Sequence, residues 1–203
     1  GNFAVNLFAP TVDVNDMLGE GGLGRNADFT EFRISDNSYS QNPWFAAYNY
    51  INTSEKERFI GALNARWDVT DFLYLRGRIG GDRYDHHRTN STPWGTAYQP
   101  NGSINETKRT FQQYDVDVFL GTDNLELTDG LSLTTFVGMG SNVQEYDAVS
   151  KSGSHFIVPF LLNVGNTKNQ GGGYSYWKKQ INSVYGSAEL GFGGYAYLTL
   201  TAR

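Results

Sequence analysis

Few residues in this sequence have the types and spacing that chemistry requires, and the clearest cofactor-like pattern is rich in glycine. Residues 19–24, GEGGLG, match the G-x-G-x-x-G pattern that places a dinucleotide pyrophosphate at a helix N-terminus. Such a site needs a strand before the glycines and a helix after them, and neither flank has the periodicity of those elements. We interpret the match as chance in a chain with 24 glycines, and we expect no cofactor.

The densest group of potential metal ligands is Asp82, Asp85, His86 and His87. Adjacent residues of a strand point to opposite faces, so the two histidines cannot readily converge on one ion. We interpret the group as a solvated strand end. A second acidic group, which lacks EF-hand spacing and is typical of a flexible acidic loop, consists of Asp13, Asp16 and Glu20. We expect no metal site.

The sequence offers no nucleophile in a catalytic context. No serine lies in a G-x-S-x-G segment, and the absence of cysteine excludes thiolate chemistry. Asp115 and Asp117 share one face of a predicted strand, where two carboxylates can equally line a wet channel. We expect no catalytic residue and interpret the chain as a transport protein; an enzyme of glycan breakdown is the weakest alternative.

Large aromatic residues in or beside polar segments are the weak candidates for contact with a substrate or partner protein. Such rings can stack on sugars or pack on a partner, although packing within loops or at a membrane interface is the more common explanation. The candidates are Trp94, Tyr98, Tyr174, Tyr176 and Trp177.

Composition favours β structure. Aromatic residues make up 15% of the 203 residues, whereas hydrophobic residues make up only 39%. The net charge of −5 is spread along the chain without clustered Lys and Arg, so we expect no nucleic-acid partner. The longest apolar run, 156–162, is far shorter than the roughly 20 residues of a membrane helix. Any membrane crossing must therefore use strands.

From residue 58 onward, alternating segments come in three pairs, each joined by a tight turn. The pairs are 58–67 with 72–84, 111–125 with 131–146, and 177–192 with 195–203. Their turns contain Asp, Thr or Gly, as short hairpins require. Polar segments near 88–108 and 147–176 separate the pairs and predict long loops. Residues 1–57 are less regular: strands are expected at 2–9 and 44–50, around a long Gly-rich loop.

Side chains alternate with period two along these segments, which predicts two distinct faces. Leu63, Leu75 and Val116 are among the residues of the apolar face. The opposite, polar face is predicted to point into a channel lumen, and its residues are Arg58, Asn64, Arg66, Arg76, Arg78, Asp115, Asp117 and Glu189. An arginine facing lipid at mid-membrane costs about 2 to 4 kcal/mol, so the register is well specified.

Period two alone does not separate a membrane barrel from a soluble sandwich, because both alternate. The predicted segments are longer than the usual strand of about 5 or 6 residues and suit tilted membrane strands of about 9 to 11. Short turns at one end and long loops at the other are typical of outer-membrane barrels, with the turns in the periplasm and the loops outside. We therefore predict an all-β fold, an antiparallel transmembrane β-barrel segment.

Several short segments together resemble one family. In order, they are 42–45 (NPWF), 58–61 (RFIG), 71–73 (DFL), 77–82 (GRIGGD), 181–186 (INSVYG) and 197–203 (YLTLTAR). They are similar to the mid-barrel region of SusC/RagA-type TonB-linked outer-membrane transporters. The resemblance covers the chain from about residue 42 to its end.

The resemblance implies a 22-stranded barrel in the bacterial outer membrane, closed by a plug. It also implies a SusD-like lipoprotein partner, energy from the TonB complex, contact with outer-membrane lipid, and uptake of glycan fragments or oligopeptides. We expect an internal fragment of such a barrel, because no signal sequence, plug or TonB box is visible. Two alternatives stay open: a secreted soluble β-domain that binds carbohydrate, and a small self-contained outer-membrane barrel.

Overall fold

The computed structural model describes residues 11–33 and 35–203. Within them, six strands form one antiparallel sheet, and each strand pairs with its neighbours in sequence order. The strands are β1 Thr53–Asp68, β2 Leu73–Thr92, β3 Ser103–Thr128, β4 Leu131–Phe156, β5 Thr167–Phe192 and β6 Ala196–Ala202. The predicted all-β antiparallel fold is confirmed.

Tight turns join the strands in pairs where the sequence contains Asp, Thr and Gly. The connection between β3 and β4 is Asp129-Gly130, and that between β5 and β6 begins with Gly193-Gly194. Gly130, Gly193 and Gly194 have φ angles of +76°, +59° and +78°, which only glycine adopts without strain. The Gly193 N–H donates to the Gly130 carbonyl at 2.6 Å, which links these two turns.

The predicted long loops are wrong in length. The connection predicted near 88–108 spans only 93–102, and the one predicted near 147–176 spans 157–166, because the flanking strands continue through most of both segments. These strand ends are rich in Asn, Ser and Thr. A strand with polar residues on both faces has no period-two hydrophobic signal, yet its backbone ladder continues unchanged.

Another expectation is also wrong: residues 44–50 do not form a strand. They overlap helix α1, Pro43–Asn49, which begins where the Asn42 side chain accepts hydrogen bonds from the backbone N–H groups of Trp44 (2.9 Å) and Phe45 (3.2 Å). Asn at the N-cap and Pro at the first helical position are strong start signals for a helix. The strand expected at 2–9 lies outside the described residues.

The chain divides into two compact units. The loop unit contains the described residues of Gly1–Lys56 together with His86–Arg109 and Ala148–Ser175. All the buried hydrophobic side chains of the described chain belong to it, and they are Met17, Phe45, Ile104, Ala148, Phe156 and Val164. The loop unit therefore has a conventional, if small, hydrophobic core.

The sheet unit contains Glu57–Asp85, Thr110–Asp147 and Tyr176–Arg203. Within it, the only described residues that are fully buried are glycines. Large apolar side chains on one face are instead exposed: 74% for Phe59, 70% for Leu63, 67% for Val184 and 65% for Met139. Monomeric soluble proteins rarely expose a contiguous apolar surface of this kind.

Candidate functional site

Two of the four arginines predicted to face the lumen make ion pairs on the polar face of the sheet unit. Arg58 contacts both carboxylate oxygens of Asp82, at 2.9 and 2.6 Å, in a bidentate pair. Arg66 pairs with Asp68 at 2.7 Å and also contacts Asp123. The bidentate geometry holds the Arg58 guanidinium in one orientation, and the Arg66 guanidinium bridges two carboxylates.

The two predicted carboxylates of β3 are hydrogen-bonded across the strands. Asp115 accepts from Asn142 Nδ2 at 2.5 Å and from Gln113 Nε2 at 2.9 Å. Asp117 accepts from the Tyr185 hydroxyl at 3.0 Å. Asp115 thus forms a small network with β3 and β4 side chains, and Asp117 forms a separate pair with β5, so the polar face carries a pre-arranged set of hydrogen-bonding groups.

The remaining predicted polar-face residues lie apart from this network. The Arg76 guanidinium sits 5.5 Å from the Phe119 ring centroid, and Glu189 accepts from Thr199 Oγ1 at 2.9 Å. Asn64 and Arg78 make no hydrogen bond or ion pair with the described residues. The structure therefore brings these groups together only in part, and their exposure to a lumen stays a prediction.

The two adjacent aromatic candidates of β5 have different environments. Trp177 stacks on Tyr146, with centroids 5.7 Å apart, and packs at a tilt on Phe111 at 6.3 Å. Phe111 in turn stacks on Tyr84 at 5.4 Å. Sequence reasoning missed this aromatic row, because its members lie on four different strands of the sheet. Tyr176 instead donates to Glu145 at 3.3 Å.

The candidates of the loop unit also differ. Trp94 packs against the cluster formed by Ile104, Phe156 and Val164, so the structure assigns it to the core. Tyr98 lies at the surface, where its ring stacks on exposed Tyr39 at 5.9 Å. Tyr174 is 67% exposed.

The Tyr98 hydroxyl is 2.9 Å from the Tyr50 hydroxyl, which also accepts a hydrogen bond from Gln41 Nε2. Burial, together with the hydrogen bond to Tyr98, raises the pKa of Tyr50. The Tyr50 hydroxyl is therefore neutral at physiological pH and acts as a hydrogen-bonding group.

The loop unit contains a cleft of about 730 Å³, here called the neutral cleft. Its walls contain amides, hydroxyls and glycines but no charged side chain. The lining residues are Tyr50, Asn52, Asn90, Ser91, Thr92, Ser103, Ile104, Asn105, Ser152, Gly153, Ser154, Asn169, Gln170 and Gly171. Tyr, Ser, Gly and Asn together provide adaptable hydrogen bonds, as in binding loops. This volume falls within the range of about 300 to 1,000 Å³ of small-ligand sites.

One wall of the neutral cleft is held in place by hydrogen bonds to backbone groups. Ser91 Oγ donates to the Ile51 carbonyl at 2.8 Å, and the Ser91 N–H donates to Asn52 Oδ1 at 3.0 Å. These bonds join the segment that precedes β1 to the end of β2. No local motif predicts them, because the partners are about 40 residues apart.

Buried Glu31 connects the 11–52 segment to the 93–102 connection within the same unit. Its Oε1 accepts from the Asn42 N–H at 2.6 Å, and its Oε2 accepts from the Ala97 N–H at 2.8 Å. The side chain is 2% exposed, and this burial raises its pKa, while the two N–H groups and Arg33 oppose the rise. Glu31 is thus a positioning residue that sequence reasoning missed.

The 19–24 glycine segment has a structural role. A short 3₁₀ turn covers Glu20–Gly22, and no α-helix follows directly, so the dinucleotide geometry is missing. Gly24 has a φ of +67°, and a Cβ there would collide with the backbone nitrogen of Phe45. Glycine at this position lets the segment lie directly against α1. No helix among the described residues is long and apolar enough to span a membrane.

Comparison with known proteins gives matches at the level of structure. No family model and no curated protein matches the sequence. Three solved structures of the RagAB peptide transporter match 79% of this chain. The first aligns with a TM-score of 0.71 at 16% identity. The importer in its open-open state aligns at 0.72 and 16%, and in its closed-closed state at 0.66 and 15%.

The matched part of this chain spans only 18% of the length of those chains. At this identity the likeness concerns the fold alone. It confirms the prediction of an antiparallel β-barrel segment like that of RagA-type proteins, and the six-stranded sheet described here is not closed.

Proposed function

We propose that this chain forms part of the wall of a TonB-dependent importer in the bacterial outer membrane. The observation that carries the proposal is the contrast between the two faces of the sheet unit. Phe59, Leu63 and Val184 are exposed on one face, whereas the other face carries the Arg58–Asp82 pair and the Asp115 network. A barrel wall between lipid and an aqueous lumen needs this arrangement.

The substrate is an oligopeptide or a glycan fragment, bound and passed on without chemical change. The neutral cleft supports this proposal, since amides and hydroxyls form hydrogen bonds with peptide groups or sugar hydroxyls and make no demand on substrate charge. The stacked Tyr39–Tyr98 pair in the same unit adds an exposed aromatic surface. The RagAB structures, described as those of a peptide importer, favour the oligopeptide.

The proposed partners are a SusD-like surface lipoprotein and the TonB complex. The support for the lipoprotein is the fold likeness to the RagAB structures. TonB would act through parts of the barrel protein outside this chain.

Uptake measurements on the full-length protein in its native membrane test the proposal. Cells with the intact gene, a deletion of that gene, or a deletion of tonB receive either a mixture of labelled oligopeptides or labelled oligosaccharides. We expect accumulation of one substrate class only in cells that carry both genes. Equal accumulation in the deletion strains, or recovery of the protein in the aqueous fraction without detergent, would contradict the proposal.

A further inference from the structure

The apolar face of the sheet unit contains a depression of about 410 Å³, here called the Ser141 groove. Ser141 is small, and the apolar side chains around it are Val116, Val118, Met139 and Val184. A flat annulus of lipid needs no such concavity, whereas a volume of this size falls within the range of about 300 to 1,000 Å³ typical of sites for discrete small ligands.

One end of the groove carries neutral hydrogen-bonding groups. Ser141 Oγ lies 2.8 Å from Asn182 Oδ1, and Gln180 Nε2 donates to Ser141 Oγ at 3.3 Å and to Asn182 Oδ1 at 3.1 Å. Within residues 11–33 and 35–203, the Asn182 Nδ2 group has no hydrogen-bond acceptor. It is therefore a donor available to a ligand carbonyl in the groove.

Polarity changes in steps along β5 on this face. Every second residue points to the same side of a strand, and two residues advance about 6.6 Å. From Tyr176 the series runs through Lys178, which pairs with Glu145 at 3.8 Å, to Gln180, Asn182 and finally Val184. Charged, neutral polar and apolar groups thus follow one another within a span of about 26 Å. A membrane lipid has the same order of headgroup, ester or amide linkage, and acyl chain.

We propose that the Ser141 groove binds one acyl chain of a lipid in the outer leaflet of the membrane, with the carbonyl of its linkage hydrogen-bonded to Asn182 Nδ2. The leaflet follows from the direction of the strand, since the polar end of the groove lies away from the tight Gly193–Gly194 turn, and tight turns face the periplasm in outer-membrane barrels. This inference depends on the proposed location in the outer membrane.

Photo-crosslinking of the full-length protein in vesicles tests this site. The probe is phosphatidylethanolamine with a diazirine on one acyl chain near the ester, mixed at low fraction into unlabelled phosphatidylethanolamine. Mass spectrometry then maps labelled residues. Ser141→Phe fills the groove, and Leu120→Phe is the matched control, because Leu120 is also exposed on the apolar face but does not line the groove.

We expect labels on the peptides of Met139 and Val184 in several-fold excess over those of Leu63. Ser141→Phe should remove the excess, whereas Leu120→Phe should keep it. Even labelling over the whole apolar face, or an excess of label that persists in Ser141→Phe, would contradict acyl-chain binding in the Ser141 groove. Neither result would contradict the proposed membrane location. Absence of label from every apolar-face peptide would overturn both the groove and the proposed function.

Discussion

At the scale of single residues, Glu31 shows how one buried carboxylate organises a segment that lacks regular structure. It accepts from two backbone N–H groups, those of Asn42 and Ala97, that have no helix or strand partner. Buried N–H groups need acceptors, and each that is left without one costs about 1 to 3 kcal/mol. In the same unit, Ser91 holds one wall of the neutral cleft through hydrogen bonds to Ile51 and Asn52.

The first prediction concerns the removal of this acceptor. Glu31→Ala should leave both N–H groups unsatisfied and increase the hydrogen exchange of the Asn42 and Ala97 amides by about 5-fold to 100-fold, since about 1 to 3 kcal/mol is lost per group and about 1.4 kcal/mol corresponds to a factor of ten. Glu20→Ala is the control, because Glu20 is an exposed acid of the same unit. Unchanged exchange in Glu31→Ala would show that other contacts hold the segment.

The second prediction is a pH dependence of the same site. Because burial raises the pKa of Glu31 above its ordinary value of 4.5, the folded unit binds a proton more tightly than the unfolded chain. The stability contribution of the protonated form is complete below pH 4.5 and is lost as pH rises through the folded-state pKa. Protection of the Ala97 amide, measured relative to Glu31→Gln at each pH, should therefore fall above pH 4.5. If the difference in Ala97 protection between the unmodified protein and Glu31→Gln is constant with pH, the predicted role of Glu31 protonation is contradicted.

At the scale of elements, strand register decides which side chains meet lipid. Leu63 and Asn64 are neighbours in β1 with opposite faces, and Leu63 is 70% exposed on the apolar one. A one-residue slip would exchange all such pairs, including the arginines that now pair with Asp82 and Asp68. The ion pairs and the apolar face therefore specify the same register.

The third prediction tests that assignment with two neighbouring substitutions. Leu63→Arg should destabilise the folded barrel by about 2 to 4 kcal/mol, because the charge faces hydrocarbon. Asn64→Arg should have little effect, because position 64 faces the polar side. The folded fraction in detergent or vesicles, read from the gel shift between unheated and heated samples, measures both. An equal decrease of the folded fraction in Leu63→Arg and Asn64→Arg would contradict the assignment of the two faces.

At the scale of the whole molecule, the neutral cleft of the loop unit and the polar face of the sheet unit each present hydrogen-bonding groups. The matched part of this chain spans only 18% of the RagAB transporter chains, so the activity of a whole importer is a proposal for this chain.

The fourth prediction concerns the neutral cleft. Ser152→Trp should fill part of it and lower the uptake of the transported substrate class several-fold, with little change in the amount of folded protein. Lys151→Trp adds the same bulk at the adjacent position, which does not line the cleft, and should transport normally. Equal uptake in both variants would place substrate binding elsewhere.

Local pattern determined the sheet and its faces. Period-two alternation from residue 58 onward predicted the arginine face and the apolar face, and Asp129-Gly130 and Gly193-Gly194 predicted turns that the structure contains. These features are readable because side-chain direction and hairpin geometry depend on neighbours a few residues away. Where strands are polar on both sides, beyond about residues 86 and 148, the same signal is absent and the sequence predicts loops instead.

Contacts between residues distant in the sequence determined which side chains meet in the folded protein. Several features join segments that are dozens of residues apart in the chain. They are the packing of Trp94 in the core, the link from Glu31 to Ala97, the neutral cleft, and the aromatic row of Tyr84, Phe111, Tyr146 and Trp177. Such contacts depend on strand pairing and on the path of the chain in space, neither of which leaves a periodic trace in the sequence. The sequence by itself therefore determined which residues face the two sides of the sheet, and only the tertiary structure decided which of them meet.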